Sequence, residues 1–303
     1  YRCPMTGPPR PPRRRRRLIA VACVAVVATM TACGRDAAPD SLFESAGYHV
    51  RGDTVFYLRG FPGKASQVDG ADAASFAPLD RTFAKDRSTV YVDGRPLPEA
   101  NPDSFVLLDR PDFAKDDAHV YQRDTVLSDD PTNFELLDGN LAKDGRAVYS
   151  SDGRVLSDDP THFSIVSDTD YYLFTKDDRT VHVNGNPVVG ADPATFRVLK
   201  GGYSRDDANV FYGTDRIADA DVPSFDALEG PFARDDRHGY WMGTPIRDAD
   251  GATFHVLNAD FECAADATHA FYRDDVIVDA DPRSFPSGHA VTGCSEKSVF
   301  FAP

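Results

Sequence analysis

A short phrase recurs along this chain at a nearly constant interval, and this repetition limits the possible folds more than any other feature. Each copy ends in a phenylalanine, and the closing phenylalanines are Phe76, Phe105, Phe134, Phe163, Phe196, Phe225, Phe254 and Phe285. Their spacing is constant except for longer steps from Phe163 to Phe196 and from Phe254 to Phe285. A period of about 29 residues is typical of an array in which each unit buries a face against its neighbours, because one unit alone buries too little apolar surface to offset its chain entropy.

A second repeated phrase predicts short strands. It joins Phe-Ala-Lys-Asp, or a close variant, to a Val-Tyr pair a few residues later. In one copy, Thr89 to Val92 is β-branched and aromatic, and Asp93-Gly94 then supplies a hairpin turn. We therefore expect a small meander of strands in every unit. The residues expected to have a structural role in this phrase are Lys85, Asp86, Tyr91, Lys115, Asp116, Tyr121, Lys143, Asp144 and Tyr149.

The phrase that closes each unit predicts a one-turn helix. In Asp192-Pro193-Ala194-Thr195-Phe196 the aspartate suits a helix cap and the proline suits the first helical position. The phenylalanine would then enter the core, and the phenylalanines assigned this role are Phe105, Phe134, Phe163, Phe196 and Phe225. Aliphatic residues before this phrase should also point inward, namely Leu97, Leu127, Leu156, Ile217, Ile246 and Ile277.

These phrases resemble the DKNYY family, which is named for a degenerate Asp-Lys-Asn-Tyr-Tyr motif. The matching pairs are Lys85-Asp86, Lys115-Asp116, Lys143-Asp144, Lys176-Asp177, Arg205-Asp206 and Arg234-Asp235. The resemblance implies an extracytoplasmic repeat protein with no established activity. We assign residues 48–303 to one repeat domain of about eight units.

The predicted fold class is all-β, with short strands and one-turn helices in tandem repeats of about 29 residues. We expect these repeats to stack as an open β-solenoid-like array. A compact β-propeller is the alternative, although a propeller blade usually takes about 40 residues or more.

The N-terminal residues predict export and a lipid anchor. Six arginines lie between residues 10 and 17, and an apolar stretch from Leu18 to Met30 follows, as in a secretory signal. We assign residues 1–32 to the signal peptide and residues 33–47 to the anchor and a flexible tether. Thr31-Ala32-Cys33-Gly34 resembles a bacterial lipobox with Cys33 as the lipidated residue, although Met30 stands where leucine is usual. Ordinary cleavage that releases a soluble protein is the alternative. The expected location is the bacterial cell envelope.

Charge indicates which partners the exported chain can bind. Seven of its 33 basic residues precede Cys33, where no acid lies, so the remaining chain has 26 basic and 48 acidic residues and a net charge of −22. Such a surface repels phosphates, and we therefore expect no nucleic-acid partner. The expected partners are an unidentified envelope protein or polymer and, through the lipid, the membrane.

Aspartates recur in pairs, as in Asp129-Asp130, Asp219-Asp221 and Asp248-Asp250. Structural calcium is a minor alternative for these pairs, because neither an EF-hand loop nor a calcium β-roll repeat occurs. Capping of the following turn and a solvated acidic edge explain the pairs better. We expect no cofactor and no other metal.

Cys263 and Cys294 are predicted to form a disulfide. They lie about one repeat apart and occupy neighbouring positions on equivalent strands. Neighbouring strands lie at a separation that a disulfide tolerates, and an exported chain meets oxidising conditions. Two buried, reduced cysteines are the alternative.

The functional hypothesis is a non-enzymatic repeat protein whose acidic surface binds a partner or scaffolds the envelope. Arrays present extended surfaces with one similar set of side chains per repeat. The alternative is a periplasmic enzyme, acting for instance on cell-wall glycan, with a site that the repeats conceal. Trp241, beside Tyr240, is expected to pack within the fold, and an exposed Tyr240-Trp241 pair that holds a sugar ring is the alternative.

Overall fold

The structure is a computed structural model that describes residues 37–303. The chain divides into two compact units between Thr132 and Asn133. Within the described residues, nine small antiparallel sheets account for almost all regular structure. The prediction of an all-β array of tandem repeats is confirmed.

The first unit contains one three-stranded sheet and two four-stranded sheets, each with its strands in chain order. The strands are β1 (Gly47–Arg51), β2 (Thr54–Leu58), β3 (Ala65–Gln67), β4 (Ala77–Pro78), β5 (Phe83–Lys85), β6 (Val90–Val92), β7 (Arg95–Leu97), β8 (Val106–Leu107), β9 (Phe113–Lys115), β10 (Val120–Gln122) and β11 (Thr125–Ser128).

The second unit contains five four-stranded sheets and a final two-stranded sheet. The strands of its first three sheets are β12 (Glu135–Leu136), β13 (Ala142–Lys143), β14 (Val148–Tyr149), β15 (Val155–Ser157), β16 (Ser164–Asp168), β17 (Leu173–Lys176), β18 (Val181–Val183), β19 (Asn186–Pro187), β20 (Arg197–Val198), β21 (Tyr203–Arg205), β22 (Val210–Tyr212) and β23 (Asp215–Arg216). The remaining strands are β24 (Asp226–Ala227), β25 (Phe232–Arg234), β26 (Gly239–Trp241), β27 (Thr244–Pro245), β28 (His255–Asn258), β29 (Cys263–Ala265), β30 (Ala270–Tyr272), β31 (Asp275–Val276), β32 (Val291–Ser295) and β33 (Ser298–Phe301).

Each four-stranded sheet is the meander that the repeated phrase predicts. In the sheet of β4 to β7, Ala84 pairs with Tyr91, and the turn between β6 and β7 is Asp93-Gly94. Both turn residues have positive φ, 49° for Asp93 and 77° for Gly94. This backbone matches the twist of the flanking strands, and asparagine, aspartate and glycine tolerate it best.

The closing phrase forms a tight turn between sheets. Val222–Ser224 and Pro282–Ser284 are one-turn 3-10 helices. Asp281 caps the second of them by accepting a hydrogen bond from the Arg283 backbone N–H. We call the turn segments 71–76, 100–105, 129–134, 158–163, 191–196, 220–225 and 249–254 the closing loops.

The closing phenylalanines join successive sheets. The Phe105 ring lies between Phe83 and Tyr121, with ring centroids 5.5 and 5.8 Å away. In the second unit, Phe225 lies in the same way between Tyr203 and Tyr240, at 5.6 and 5.5 Å. Tilted aromatic contacts of this length add to the apolar area that the rings bury. Phe105, Phe196 and Phe225 are buried as predicted.

The prediction for Phe134 and Phe163 was wrong in degree, since both are only half-buried. Leu127 and Leu156 are also only half-buried, whereas Leu97, Ile217, Ile246 and Ile277 are buried as predicted. A register shift in β11 and β15 turns Ser128 and Ser157 inward in place of the leucines. In sequence, Phe134 follows Ser128 and Phe163 follows Ser157. A serine offers less apolar surface than a leucine with which to cover a ring.

The C-terminal sheet is linked covalently to the sheet before it. Cys263 on β29 and Cys294 on β32 form a disulfide with a Cα–Cα distance of 5.7 Å. Cys263 pairs with Tyr272 as Phe83 pairs with Val92, and Cys294 pairs with Val299 as Lys85 pairs with Val90. The two cysteines therefore occupy positions two residues apart on equivalent strands, which matches the neighbouring positions expected from the sequence.

The segment before β1 lies in the predicted tether. Asp40 forms an isolated antiparallel bridge with Lys64, and its side chain accepts a hydrogen bond from the Leu42 N–H at 2.9 Å. Strand β1 begins at Gly47, at the end of the predicted tether. Across residues 37–303, no helix has the length and apolar character needed to span a membrane.

Candidate functional site

The aspartate of each Lys-Asp or Arg-Asp pair is a buried hydrogen-bond acceptor. Asp235, whose residue is 2% exposed, accepts from the backbone N–H groups of Arg237 and His238, both at 2.7 Å. It also accepts from the Tyr240 hydroxyl at 2.7 Å and from the backbone N–H of Asp221 at 2.9 Å. Asp221 belongs to the preceding closing loop, so one carboxylate fixes its own turn and attaches that loop to the sheet.

The same arrangement recurs in both units. In the first unit, the backbone N–H of Asp72 donates to Asp86 at 3.0 Å and that of Asn101 donates to Asp116 at 2.8 Å. In the second, the backbone N–H of Asp192 donates to Asp206 at 2.9 Å. The buried aspartates of the pairs are Asp86, Asp116, Asp144, Asp177, Asp206, Asp235 and, where alanine has replaced the base, Asp266.

In five of the six pairs, the basic residue binds the next closing loop. Lys85 Nζ donates to the carbonyl oxygens of Pro102 at 2.7 Å and Phe105 at 3.3 Å. Lys115 and Lys176 donate in the same way to Pro131 and Pro193, at 2.9 and 2.6 Å. Where arginine replaces lysine the contact persists, since Arg205 donates to Val222 O at 2.7 Å and Arg234 to Phe254 O at 3.2 Å.

Four pairs therefore join two consecutive closing loops through the backbone groups of those loops, namely Lys85-Asp86, Lys115-Asp116, Arg205-Asp206 and Arg234-Asp235. The acid receives an N–H of the preceding loop, and the base supplies a donor to the carbonyls of the following loop. We call this pair the clamp. Buried backbone polar groups need partners, and charge-assisted hydrogen bonds are the stronger kind.

Hydrogen bonding determines the ionisation of the clamp aspartates. Burial alone would raise the pKa of Asp86, but the hydrogen bonds from the Asp72 N–H, from Ser88 and from Tyr91 outweigh it and lower the pKa to about 2. The same balance lowers the pKa of Asp116, Asp177, Asp206, Asp235 and Asp266. These carboxylates are ionised at neutral pH, and their lone pairs are directed at donors of the fold.

The tyrosine of the motif completes the clamp where it is present. Tyr91, Tyr121, Tyr149 and Tyr240 donate to their aspartates at 2.8, 2.9, 2.7 and 2.7 Å. Phe211 and Phe271 take the same place in other repeats without a hydroxyl. His182 replaces the tyrosine beside Asp177, and there the hydroxyl of the inward-turned Ser157 donates to Asp177 instead, at 2.6 Å.

A cavity of about 460 Å³ lies in the first unit against the β6–β7 hairpin. Arg59, Arg95 and Arg123 line it together with Tyr57 and Asp93. Arg123 is ion-paired to Asp93 and Asp112, and the Tyr57 hydroxyl donates to Asp93 at 2.8 Å. Arg59 and Arg95 make no ion pair with any residue in 37–303, so their guanidinium groups are available to an anionic group.

A second cavity, of about 480 Å³, lies in the second unit beside the hairpin of β16 and β17. Polar side chains line most of it, among them Asn140, Asp168 and Asp170, and Tyr171 stands at its edge. Tyr171 is 82% exposed, in contrast to the buried tyrosines of the clamps.

With this geometry established, we compared the chain with known proteins. It matches the DKNYY family over residues 48–182 and 174–292, which together make up most of the chain. The chain belongs to the DKNYY family. No curated protein and no solved structure matched it.

The residues that the sequence assigned a structural role lie within the DKNYY match and mostly belong to clamps. Lys85, Asp86, Lys115 and Asp116 contact closing loops, and the motif tyrosines donate to the clamp aspartates. Lys143 Nζ lies 3.2 Å from a carboxylate oxygen of Glu135, its partner in the register of β12 and β13. Cys33, the predicted lipidation site, and residues 1–32, the predicted signal peptide, lie outside the described residues.

Aspartates near the start of the closing loops cap their turns, and Asp250 of the Asp248-Asp250 pair is one of them. Asp72, Asp192 and Asp250 each accept a hydrogen bond from the backbone N–H two residues later, at 3.1, 3.0 and 3.2 Å. Within residues 37–303, one group of side chains, Asp159, His162 and Asp178, brings possible metal-ligand atoms within 4.8 Å of one another. His162 Nδ1 lies 2.8 Å from a carboxylate oxygen of Asp159, and hydrogen bonding explains this grouping.

Tyr240 and Trp241 do not form the exposed pair that the sequence left as an alternative. Tyr240 is fully buried because its hydroxyl belongs to a clamp. Trp241 is half-buried, and the guanidinium of Arg273 lies 5.9 Å from its ring centroid. This surface is therefore occupied by the chain itself.

The sequence predicted a structural role for the clamp residues but did not identify their long-range partners. A signal for these partners exists in the spacing. Lys85 to Pro102, Lys176 to Pro193 and Arg205 to Val222 are each 17 residues apart. When the number of residues between a charged side chain and a loop position is the same in several repeats, that constant separation indicates a contact between them.

Proposed function

We propose that this DKNYY protein is a non-enzymatic repeat protein of the bacterial cell envelope, where its acidic surface binds a basic partner or scaffolds an envelope structure. The observation that carries the proposal is the division of its carboxylates into two sets. One set is buried and engaged by the fold in the clamps. The other is exposed and repeated, and it supplies the surface for contact.

The exposed set is clearest next to the clamps. Asp178, Asp207 and Asp236 directly follow the buried aspartates Asp177, Asp206 and Asp235, so they recur in three consecutive repeats. The side chains of Asp178 and Asp207 are 66% and 67% exposed, and Asp236 is also exposed. We call these three residues the acidic row.

A repeated charge suits multivalent contact with a basic surface. A single exposed ion pair contributes little, typically below about 1 kcal/mol, but several that form together add through their high effective concentration. Binding of this kind weakens as salt screens the charges. The partner fitting this chemistry is an envelope protein or polymer with a lysine- or arginine-rich surface.

The acidic row can be tested by crosslinking in intact envelopes followed by capture of the tagged protein. The test variant carries Asp178→Asn, Asp207→Asn and Asp236→Asn. The control carries Asp53→Asn, Asp69→Asn and Asp109→Asn, which changes net charge equally at exposed sites outside the row. We expect the wild type and the control to capture one basic partner in a salt-sensitive manner, and the row variant to lose it. Equal capture by all three proteins would contradict the proposal.

Attachment to the envelope is the second part of the proposal, and it rests on the Thr31-Ala32-Cys33-Gly34 string that follows a short apolar stretch. We expect a labelled fatty acid to enter the wild-type protein and the Cys33→Ser variant to remain unlabelled. Unlabelled wild-type protein in the soluble periplasmic fraction would show that the anchor is absent.

A further inference from the structure

The longest spacing between closing phenylalanines, from Phe163 to Phe196, marks the repeat that departs most from the common period. The four extra residues lie between Phe163 and Lys176, since the corresponding segments of the flanking repeats, Phe134 to Lys143 and Phe196 to Arg205, are shorter by that number. They lengthen one hairpin. Its first strand, β16, has five residues, whereas the equivalent strands β12 and β20 have two each.

The lengthened hairpin ends in a turn that its own side chains hold in place. Thr169 Oγ1 accepts a hydrogen bond from the Tyr172 N–H at 3.1 Å, and the Thr169 N–H donates to the Tyr172 carbonyl at 3.1 Å. Asn184, in the turn of the next hairpin, donates through Nδ2 to the Tyr171 carbonyl at 3.0 Å. Its Oδ1 accepts from the Leu173 N–H at 2.8 Å.

This fixed turn presents an aromatic ring to solvent. Tyr171 is 82% exposed, whereas the tyrosines of the repeated motif lie in the core. Burial of an aromatic ring is favourable, so an exposed ring on a fixed turn calls for an explanation. Hydrogen bonds from Asn184 and within the turn fix the backbone around Tyr171, so the loop that carries the ring has little conformational freedom left. A ligand that packs on it would lose little free energy to loop ordering.

The cavity beside Tyr171 offers hydrogen-bonding groups that the chain does not use. Its volume of about 480 Å³ lies in the range of small-molecule sites, about 300–1,000 Å³. The side chains of Asn140, Asp168 and Asp170 line it and have no hydrogen bond or ion pair within the described part of the chain. An amide and two carboxylates together can accept from and donate to several hydroxyl groups.

The charge of the lining limits the ligand class. The charged residues of the lining are three aspartates, Asp152, Asp168 and Asp170, and one cation, Arg154. Arg154 is already ion-paired to Asp152, at 2.6 Å. A phosphate or a sugar acid would meet a net negative cavity. A neutral saccharide has no such cost, because its hydroxyls donate to the carboxylates and its apolar C–H face packs on an aromatic ring.

We propose that the lengthened hairpin builds a binding site for a neutral saccharide, with Tyr171 as the stacking platform and Asn140, Asp168 and Asp170 as hydrogen-bonding partners. This site is separate from the acidic row, binds a different class of ligand and goes beyond the function proposed above. Loss of one activity therefore leaves the other measurable.

The test is titration calorimetry of the purified chain with three probes. Two are neutral trisaccharides, the fully N-acetylated chitotriose and cellotriose, and the third is anionic, trigalacturonic acid. We expect at least one neutral trisaccharide to bind and the anionic one to bind more weakly. Tyr171→Ala should weaken binding by about tenfold or more, as loss of a central aromatic contact does, whereas Tyr171→Phe should keep it within about threefold.

The control variant is Phe43→Ala, which removes an equally exposed ring, 84% accessible, outside this cavity. It should bind the neutral saccharide as the wild type does. Both alanine variants alter exposed side chains and should fold normally, which circular dichroism can verify. Absence of binding by both neutral trisaccharides, tighter binding of trigalacturonic acid, or unchanged affinity in Tyr171→Ala would overturn the proposal.

Discussion

Six aspartates of the repeated motif combine a buried side chain with a lowered pKa, and this combination links the stability of the protein to pH. They are Asp86, Asp116, Asp177, Asp206, Asp235 and Asp266. The pKa of Asp86 is about 2 in the folded chain, against an ordinary value of 3.8. The ionised form therefore contributes stability, about 2 kcal/mol for Asp86, that is fully present above the unfolded-state value and is lost as the pH falls toward the folded-state value. The lowered pKa of the other clamp aspartates adds contributions of the same sign.

Acid titration tests this linkage. We predict that the free energy of unfolding in urea falls most steeply between about pH 4 and pH 2. The Asp235→Asn variant should show a shallower fall, because one of these groups no longer titrates, while Asp236→Asn should follow the wild-type curve. Parallel curves for Asp235→Asn and the wild type would show that the clamp carboxylates do not control acid stability.

The motif tyrosine should contribute less than the aspartate. Its hydroxyl supplies one of the four hydrogen bonds to Asp235, and Phe211 and Phe271 occupy the same position elsewhere without it. We predict that Tyr240→Phe lowers the free energy of unfolding by about 1 kcal/mol, the usual net value of one hydrogen bond. Tyr171→Phe, at an exposed tyrosine, should leave the unfolding free energy unchanged. A loss above about 3 kcal/mol for Tyr240→Phe would mean that the hydroxyl has another role.

At the level of the hairpin, glycine is required where two repeats approach closely. Gly243 has φ +79°, and a Cβ there would lie 2.6 Å from Cβ of Tyr212 in the preceding repeat. Gly185 occupies the same hairpin position with φ +77° and has no heavy atom within 4 Å of such a Cβ. Comparison of alanine substitutions at Gly185 and Gly243 therefore separates two contributions to the loss of stability, namely the positive φ and the contact with Tyr212.

We predict that Gly185→Ala costs about 1 kcal/mol, from backbone conformation alone, and that Gly243→Ala costs about 1–3 kcal/mol more because Tyr212 must move. Thermal or urea unfolding of the two variants measures the difference. Equal losses would indicate that successive hairpins do not press on each other as the structure shows.

The strands and hairpins were predictable from the sequence because neighbouring residues determine them. Thr89 to Val92 favours a strand and Asp93-Gly94 favours a tight turn without any distant partner. The inward turn of Ser128 and Ser157 could not be predicted, since it depends on a register shift inside the sheet. For the candidate saccharide site, the sequence showed only the longer spacing that ends at Phe196. Its cavity depends on how four hairpins lie together.

At the scale of the whole chain, repeats that contact mainly their neighbours should lose stability in steps. We predict that truncation after Leu228 leaves a folded remainder with a lower unfolding free energy. It removes the last two sheets, three strands of the sheet of β24 to β27 and the disulfide, while the earlier sheets keep their contacts. Circular dichroism and urea unfolding can follow this. Collapse of the truncated chain to a random coil would show that every repeat is needed for any of them to fold.

Within each unit, clamps join the closing loop before a sheet to the closing loop after it, as Lys115-Asp116 does in the first unit and Arg234-Asp235 in the second. Asp235 and Asp236 are adjacent acids that differ in this respect, one buried in a clamp and the other exposed in the acidic row. The most direct test is the free energy of unfolding of Asp235→Ala beside that of Asp236→Ala. We predict a loss of about 3 kcal/mol or more for Asp235→Ala, which leaves buried donors without an acceptor, and a change within about 0.5 kcal/mol for Asp236→Ala. Equal effects of the two substitutions would contradict the structural role assigned to the motif.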